Sequence, residues 1–176
     1  RIGGGIHNVG TLVMTDSLVH ANTATGSDGG GISNLGTATI TRSSIFSNSA
    51  RYGGGLHQLA GAMTIENVTV SSNTASSEGG GIDVAAGSLT VRFSTIAANT
   101  ASGGNGGGAI VRGGTLTIGS SIFADNNSAS GGRDLHGTVT SLGYNVIEHN
   151  AGFTGKVASD QLGTDPALAA LALDAA

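Results

Sequence analysis

The chain has no cysteine and no tryptophan among its 176 residues, and a single proline. Without cysteine, neither disulfide staples nor thiolate metal sites can form. Aromatic residues are nearly missing too, with four Phe and two Tyr, so any core must be thin and built from Ile, Leu, Val and Ala. Charge is sparse: seven Lys and Arg against eleven Asp and Glu, for a net charge of −4. The basic residues are scattered, whereas nucleic-acid binding needs a clustered Lys/Arg footprint, so nucleic acid is not an expected partner. No apolar run approaches the ~20 residues of a membrane-spanning helix, and no membrane insertion is expected. No leader peptide is visible. The chain opens at Arg1-Ile2-Gly3, already inside a repeat, which predicts a piece of a longer precursor with any export signal upstream.

What the chain has in quantity is glycine, 32 residues of it, and the glycines are periodic. Triplets begin at Gly3, Gly29, Gly53, Gly79 and Gly106, with a weaker echo at Gly131-Gly132, at intervals of 24 to 27 residues. Glycine-rich chains without a period tend to disorder; a fixed period of this length marks a solenoid, in which each repeat buries its apolar side against its neighbours.

Aligning the repeats gives apolar columns. The first is Ile6, Ile32, Leu56, Ile82, Ala109 and Leu135. The second is Leu12, Ala38, Met63, Leu89, Leu116 and Val139, followed two residues on by Met14, Ile40, Ile65, Val91 and Ile118. A fourth is Val19, Ile45, Val70, Ile96 and Ile122. Alternate residues of a strand share a face, so the second and third columns point the same way. Helix is disfavoured by the density of Gly, Thr, Ser and β-branched residues. The pattern predicts an all-β fold: a parallel β-helix of about six rungs, each with about three short strands, right-handed by the usual crossover preference. Residues 1–141 are expected to form the rungs. Residues 142–176 are expected to form a last partial rung, a loop and a cap, with Asp165-Pro166 starting a short helix over Ala167 to Leu171.

The turns have columns of their own. Asn22, Asn48, Asn73 and Asn99 recur before Thr or Ser and then Ala, continued less regularly by Asp125 to Asn127. Stacked amides can bond to one another along the coil, and Asn tolerates left-handed backbone. Asn8, Asn34 and Gln58 offer the same at another corner.

These repeats, as in Gly29-Gly30-Gly31-Ile32-Ser33-Asn34-Leu35-Gly36 and Ser94-Thr95-Ile96-Ala97-Ala98-Asn99-Thr100-Ala101, resemble those of bacterial secreted and surface right-handed parallel β-helix proteins, similar to the polymorphic outer-membrane protein group. The tail Leu142-Gly143-Tyr144-Asn145-Val146-Ile147 and Ser159-Asp160-Gln161-Leu162-Gly163-Thr164-Asp165-Pro166 is similar to the segment that ends such arrays. The resemblance implies an extracellular or cell-surface location and a non-enzymatic structural, scaffold or adhesive role. The expected partners are the remainder of a longer chain or a second copy joined end to end.

Candidate chemistry is thin. Glycoside cleavage needs two carboxyl groups facing one cleft, and here the acids are mostly isolated. No cofactor or metal set is read from the sequence, and calcium stays open. One column, His7, Ser33, His57, Asp83, Ile110 and His136, is expected to face outward, with His57 and Asp83 close enough to pair across rungs. Two other cross-rung pairs are expected, Asp16 with Arg42 and Glu66 with Arg92. His20, Phe46 and Phe123 fall in one nominal column outside the core. The binding candidates are outward Thr files carried by Thr37 and Thr39, Thr64, Thr90, and Thr115 and Thr117. Regular rows of hydroxyl and methyl groups would suit an ice surface, whereas a glycan surface would call for aromatics and acids in a groove. Thr is also simply favoured in strands.

Overall fold

The computed structural model describes residues 3–169. The chain coils through about five turns of parallel strands, and no helix occurs among the described residues. The first sheet stacks Ile6–Asn8, Ile32–Asn34, Leu56–Gln58, Ile82–Val84, Ala109–Val111 and the start of Leu135–Ser141. The second stacks Thr11–Thr15, Thr37–Thr41, Ala62–Glu66, Ser88–Arg92, Thr115–Gly119 and the end of Leu135–Ser141. The third runs from Leu18–His20 through Ser44–Phe46, Thr69–Ser71, Thr95–Ala97 and Ile122–Ala124 to Val146–Ile147 and Gln161–Leu162. A fourth, shorter sheet joins Ser49–Tyr52, Thr74–Glu78, Thr100–Ala101 and Asn127–Ser128. The sequence predicts only three strands per repeat; the fourth is polar outside and marked inside only by Ala50, Ala75 and Ala101.

The first three apolar columns pair in register as predicted and fill the interior, with Ile32, Ile40, Leu56, Ile65, Ile82 and Val91 fully buried. The fourth is corrected at its end. Ile96 pairs with Phe123, not Ile122, because the local repeat is 27 residues long; Ile122 pairs with Thr95 on the outer side. Phe123 is therefore core, not part of an outer patch. His20 and Phe46 do lie outside, stacked at 4.8 Å.

Three hydrogen-bonded ladders brace the corners. Asn22, Asn48, Asn73, Asn99 and Asn126 each pass a side-chain amide to the oxygen of the next, at 2.9–3.0 Å, and the backbone N–H of the first four donates to the same oxygens. Asn126 ends the series by donating to Asp134 Oδ1 at 2.8 Å. A second ladder links Asn8, Asn34 and Gln58. A third, which the sequence does not announce, runs from the backbone of Val68 through Ser94 and Ser121 to Asn145 and Asp160. The left-handed residue at the main corner is not Asn but the residue before it: Ala21, Ser47, Ser72, Ala98 and Asp125 have φ of 54–56°.

The first glycine of the four triplets from Gly29 onward also has positive φ, from 58° to 71° at Gly29, Gly53, Gly79 and Gly106. It bends the chain over the residue four positions on. A Cβ on Gly79 would lie 2.8 Å from Asp83 Cβ, closer than carbon atoms approach.

At the far end the sixth set of strands belongs to a turn that does not close, which is why the coil makes about five turns where about six rungs are expected. The chain shortens its path instead. Phe153–Thr154 pairs with Gly137 and Thr138, and Gln161–Leu162 pairs with Val146–Ile147. The expected helix is not found. Ala167 has φ of 51°, incompatible with a right-handed helix, and its N–H is drawn back to Asp165 Oδ1 at 2.6 Å. The Asp accepts a local bond as a cap would, but around a left-handed turn. Residues 170 and 171 of that expected helix lie outside the described residues.

Candidate functional site

The second sheet places the Thr candidates on its outer side. Its core-facing residues alternate with outward ones, as at Thr37–Thr41, where buried Ala38 and Ile40 alternate with Thr37, Thr39 and Thr41. Register then carries one file through Val13, Thr39, Thr64, Thr90, Thr117 and Thr140, five threonines on consecutive strands. The neighbouring file is Thr11, Thr37, Ala62, Ser88 and Thr115. On strand geometry these form a grid of about 4.8 Å along the coil and about 6.8 Å along the strand. Among the described residues, the hydroxyls of Thr39, Thr64, Thr90, Thr117 and Thr140 take part in no hydrogen bond within the chain, so they are free for water or a ligand; Thr115 makes only a long contact to Gly87 O at 3.5 Å. The bordering file is irregular, running through Thr15, Thr41, Glu66 and Arg92. Arg42 pairs with Asp16 at 2.8 Å, both exposed. Glu66 and Arg92 are strand neighbours but form no ion pair.

The polar column of the first sheet departs from expectation. Ser33, His57 and Asp83 occupy successive strands in register, yet they do not face open solvent: each is 0–1 % exposed. The turn at each glycine triplet roofs them. His57 Nε2 lies 3.1 Å from Asp83 Oδ2 without the alignment of a hydrogen bond, and His57 Nδ1 and Ser33 Oγ have no partner. Asp83 is held instead by Arg112, whose Nε donates to Oδ1 at 2.9 Å and whose second nitrogen contacts Oδ2. That carboxylate raises the Arg112 pKa. The guanidinium also lies 4.3 Å above the Tyr52 ring, which Arg51 approaches at 4.8 Å. Arg51 in turn pairs with Asp28. Serine, histidine and aspartate in this order have the types of a nucleophile, base and orienting acid. The serine hydroxyl is sealed and the aspartate is committed to Arg112, so the arrangement is an electrostatic clasp across rungs. Arg112 and Tyr52 were not readable as its members, because neither lies in the repeat columns.

A second polar cluster sits where the coil ends. Asp134 takes the place of the third glycine, fully buried, accepting Asn126 Nδ2 on one oxygen and the His149 N–H on the other. Burial is the main influence on its carboxyl and raises its pKa, outweighing those two donors. Arg133 Nη1 lies 3.3 Å from His149 Nε2. A guanidinium can only donate, so Nε2 accepts and the ring proton sits on Nδ1. Nδ1 faces Asp134 and Glu148 oxygens at 3.6 and 3.5 Å. Asp134, Glu148 and His149 have the reach of a metal site, and both Asp134 oxygens already accept hydrogen bonds, from Asn126 Nδ2 and from the His149 N–H. Asp160, the hub of the neighbouring loop, is raised by burial and lowered more strongly by donors from Val157, Asn145 and Ser141, so its pKa is net lowered.

No family model, curated protein or solved structure matches this chain.

Proposed function

We propose that this chain is a rigid, non-enzymatic segment of an extracellular protein, a right-handed coil serving as a scaffold or adhesive stalk at a bacterial surface. One observation carries the proposal: strand register runs unbroken from Thr11–Thr15 to Leu135–Ser141, braced by buried amide ladders. The Ser33-His57-Asp83 grouping on adjacent strands is roofed over, which supports a structural role for it. The strand edges at Ile6–Asn8 and Thr11–Thr15 each pair on one side among the described residues, and would accept a further rung of a longer chain or of a second copy. Pulling the chain by its ends in a force microscope tests the rod. Rungs should release stepwise, each lengthening the chain by about 80–90 Å for a repeat of about 25 residues. Featureless, entropic stretching would refute it.

A second reading, ice binding, is favoured by the five-threonine file with unengaged hydroxyls. Such a grid can hold water in fixed positions. Thermal hysteresis lost on Thr64→Lys and Thr90→Lys would support it, and wild-type protein with no effect on ice growth would dispose of it.

A further inference from the structure

Six aromatic residues are all this chain has, and four have an evident structural place. Phe123 and Phe153 are buried, Phe46 stacks on His20, and Tyr52 carries Arg51 and Arg112. The other two, Phe93 and Tyr144, are 54 % and 75 % exposed. Both stand in the same corner column, between the second and third sheets. Phe93 N–H donates to Gly119 O and Ser120 N–H to Gly143 O, so Phe93, Ser120 and Tyr144 occupy the corner of three successive rungs.

Every residue of that column has positive φ: Asp16, Arg42, Asn67, Phe93, Ser120 and Tyr144, from 45° to 60°. Asp and Asn tolerate this backbone; a bulky aromatic is an outlier there. At Phe93 and Tyr144 the conformational cost is not offset by burial in the core. Strained, exposed side chains of this kind concentrate at ligand-binding positions. Among the described residues neither ring is stacked on another ring or covered by a cation, and the Tyr144 hydroxyl has no partner within the chain.

We infer that Phe93 and Tyr144 form a binding ledge for an extended, neutral β-1,4-linked polysaccharide lying along the coil axis. Two strand spacings separate them, about 9.6 Å. That matches the advance of one disaccharide in such a chain, so alternate sugar rings would present their C–H faces to the two aromatic rings. Between them Ser120 is exposed and small, leaving room for the intervening sugar and a hydroxyl to bond it. The adjoining Thr90, Thr117 and Thr140 hydroxyls, with no partner among the described residues, lie on the same rungs as Phe93, Ser120 and Tyr144. Arg92 and Glu66 beside the ledge are of opposite sign, consistent with an uncharged ligand. The ledge would supply the contact of an adhesive stalk.

Titration with cellohexaose and chitohexaose, and co-sedimentation with cellulose and chitin, test it. Wild-type protein should bind at least one of them, and Phe93→Asn or Tyr144→Asn should weaken binding by about tenfold, a stacking contribution of ordinary size. Asparagine suits the left-handed backbone, so both variants keep the fold, checked by circular dichroism. Moving the ring, as Ser120→Tyr with Tyr144→Ser, restores two aromatics at a single rung spacing and should not restore binding. No binding to any of the four glycans overturns the inference, as does binding that survives Phe93→Asn with Tyr144→Asn. Neither result alters the force curve expected of the rod.

Discussion

Replacing Asn73 by alanine removes the middle of the main ladder, and the cost follows from the bonds it makes. Asn73 is fully buried. Its Oδ1 accepts both the backbone N–H and the side-chain amide of Asn48 at 3.0 Å, and its Nδ2 donates to Ile45 O at 2.9 Å and Asn99 Oδ1 at 3.0 Å. With alanine, the buried Asn48 backbone N–H loses its partner, whereas the Ile45 carbonyl keeps the strand bond that the parallel register gives it from the Ser71 N–H. The Asn48 amide keeps Val19 O, and Asn99 Oδ1 keeps the backbone N–H of residue 73. One buried donor left bare costs about 1–3 kcal/mol, a sizeable share of the stability of an ordinary domain. Asn22→Ala, at a half-buried end of the ladder, should cost less than about 1 kcal/mol. Urea unfolding gives the comparison, and native-state hydrogen exchange at the Asn48 amide localises it, which matters because solenoids need not unfold in one step. An Asn73→Ala protein within about 0.5 kcal/mol of wild type, with the Asn48 amide still protected, would refute this account of the ladder.

Other outcomes follow from the same structure. Asp83→Ala leaves Arg112 and His57 without their shared carboxylate and should destabilise by about 2–4 kcal/mol, less than a fully buried pair because the Arg112 side chain is 33 % exposed and can rehydrate; unchanged thermal unfolding would contradict it. Asp160 and Asp134 should shape the pH dependence in opposite senses. Asp160, with its folded pKa lowered, stabilises above the unfolded carboxylate value of about 3.9, and that contribution is lost as pH falls through the lower folded value. Asp134, with its folded pKa raised, contributes most below about pH 3.9 and loses it as pH rises through the folded value. Thermal scans from pH 2 to 7 on Asp160→Asn should therefore show a flatter acid limb than wild type. Ala98→Gly should be neutral or stabilising by up to about 1 kcal/mol because Ala98 has φ of 56°. Gly79→Ala should destabilise by more than that, since both its φ and the nearby Asp83 Cβ oppose a side chain; equal midpoints for the two variants would contradict the turn assignment.

Much of this was legible because a solenoid repeats its physics at every turn. The glycine triplets, three apolar columns and the Asn series are local signals reinforced by period, and the register of Thr39, Thr64, Thr90 and Thr117 followed from them. Misplacing Ile122 shows the limit: one added residue in a 27-residue repeat flips a side chain to the other face. The roof over Ser33, His57 and Asp83 was hidden because alternation tells which side of a strand a residue takes, not what folds over that side. Arg112 joins Asp83 from 29 residues away, outside any column, and the serine ladder uses a residue type common everywhere in the chain. At Asp165-Pro166 the composition of a helix start was present, yet Ala167 turned left-handed. Rings at Phe93 and Tyr144 share a column only once the corner is known.

The central claim is that the rungs stack in register, and distance measurement between spin labels tests it most directly. The chain has no cysteine, so Thr39→Cys with Thr140→Cys labels two unique sites four strand spacings apart. A narrow distribution near ~19 Å is expected, shortening by ~4.8 Å when the second label moves to Thr117. A broad distribution near ~55 Å, that of 101 residues of flexible chain, or a distance that does not shorten with that move, would contradict it.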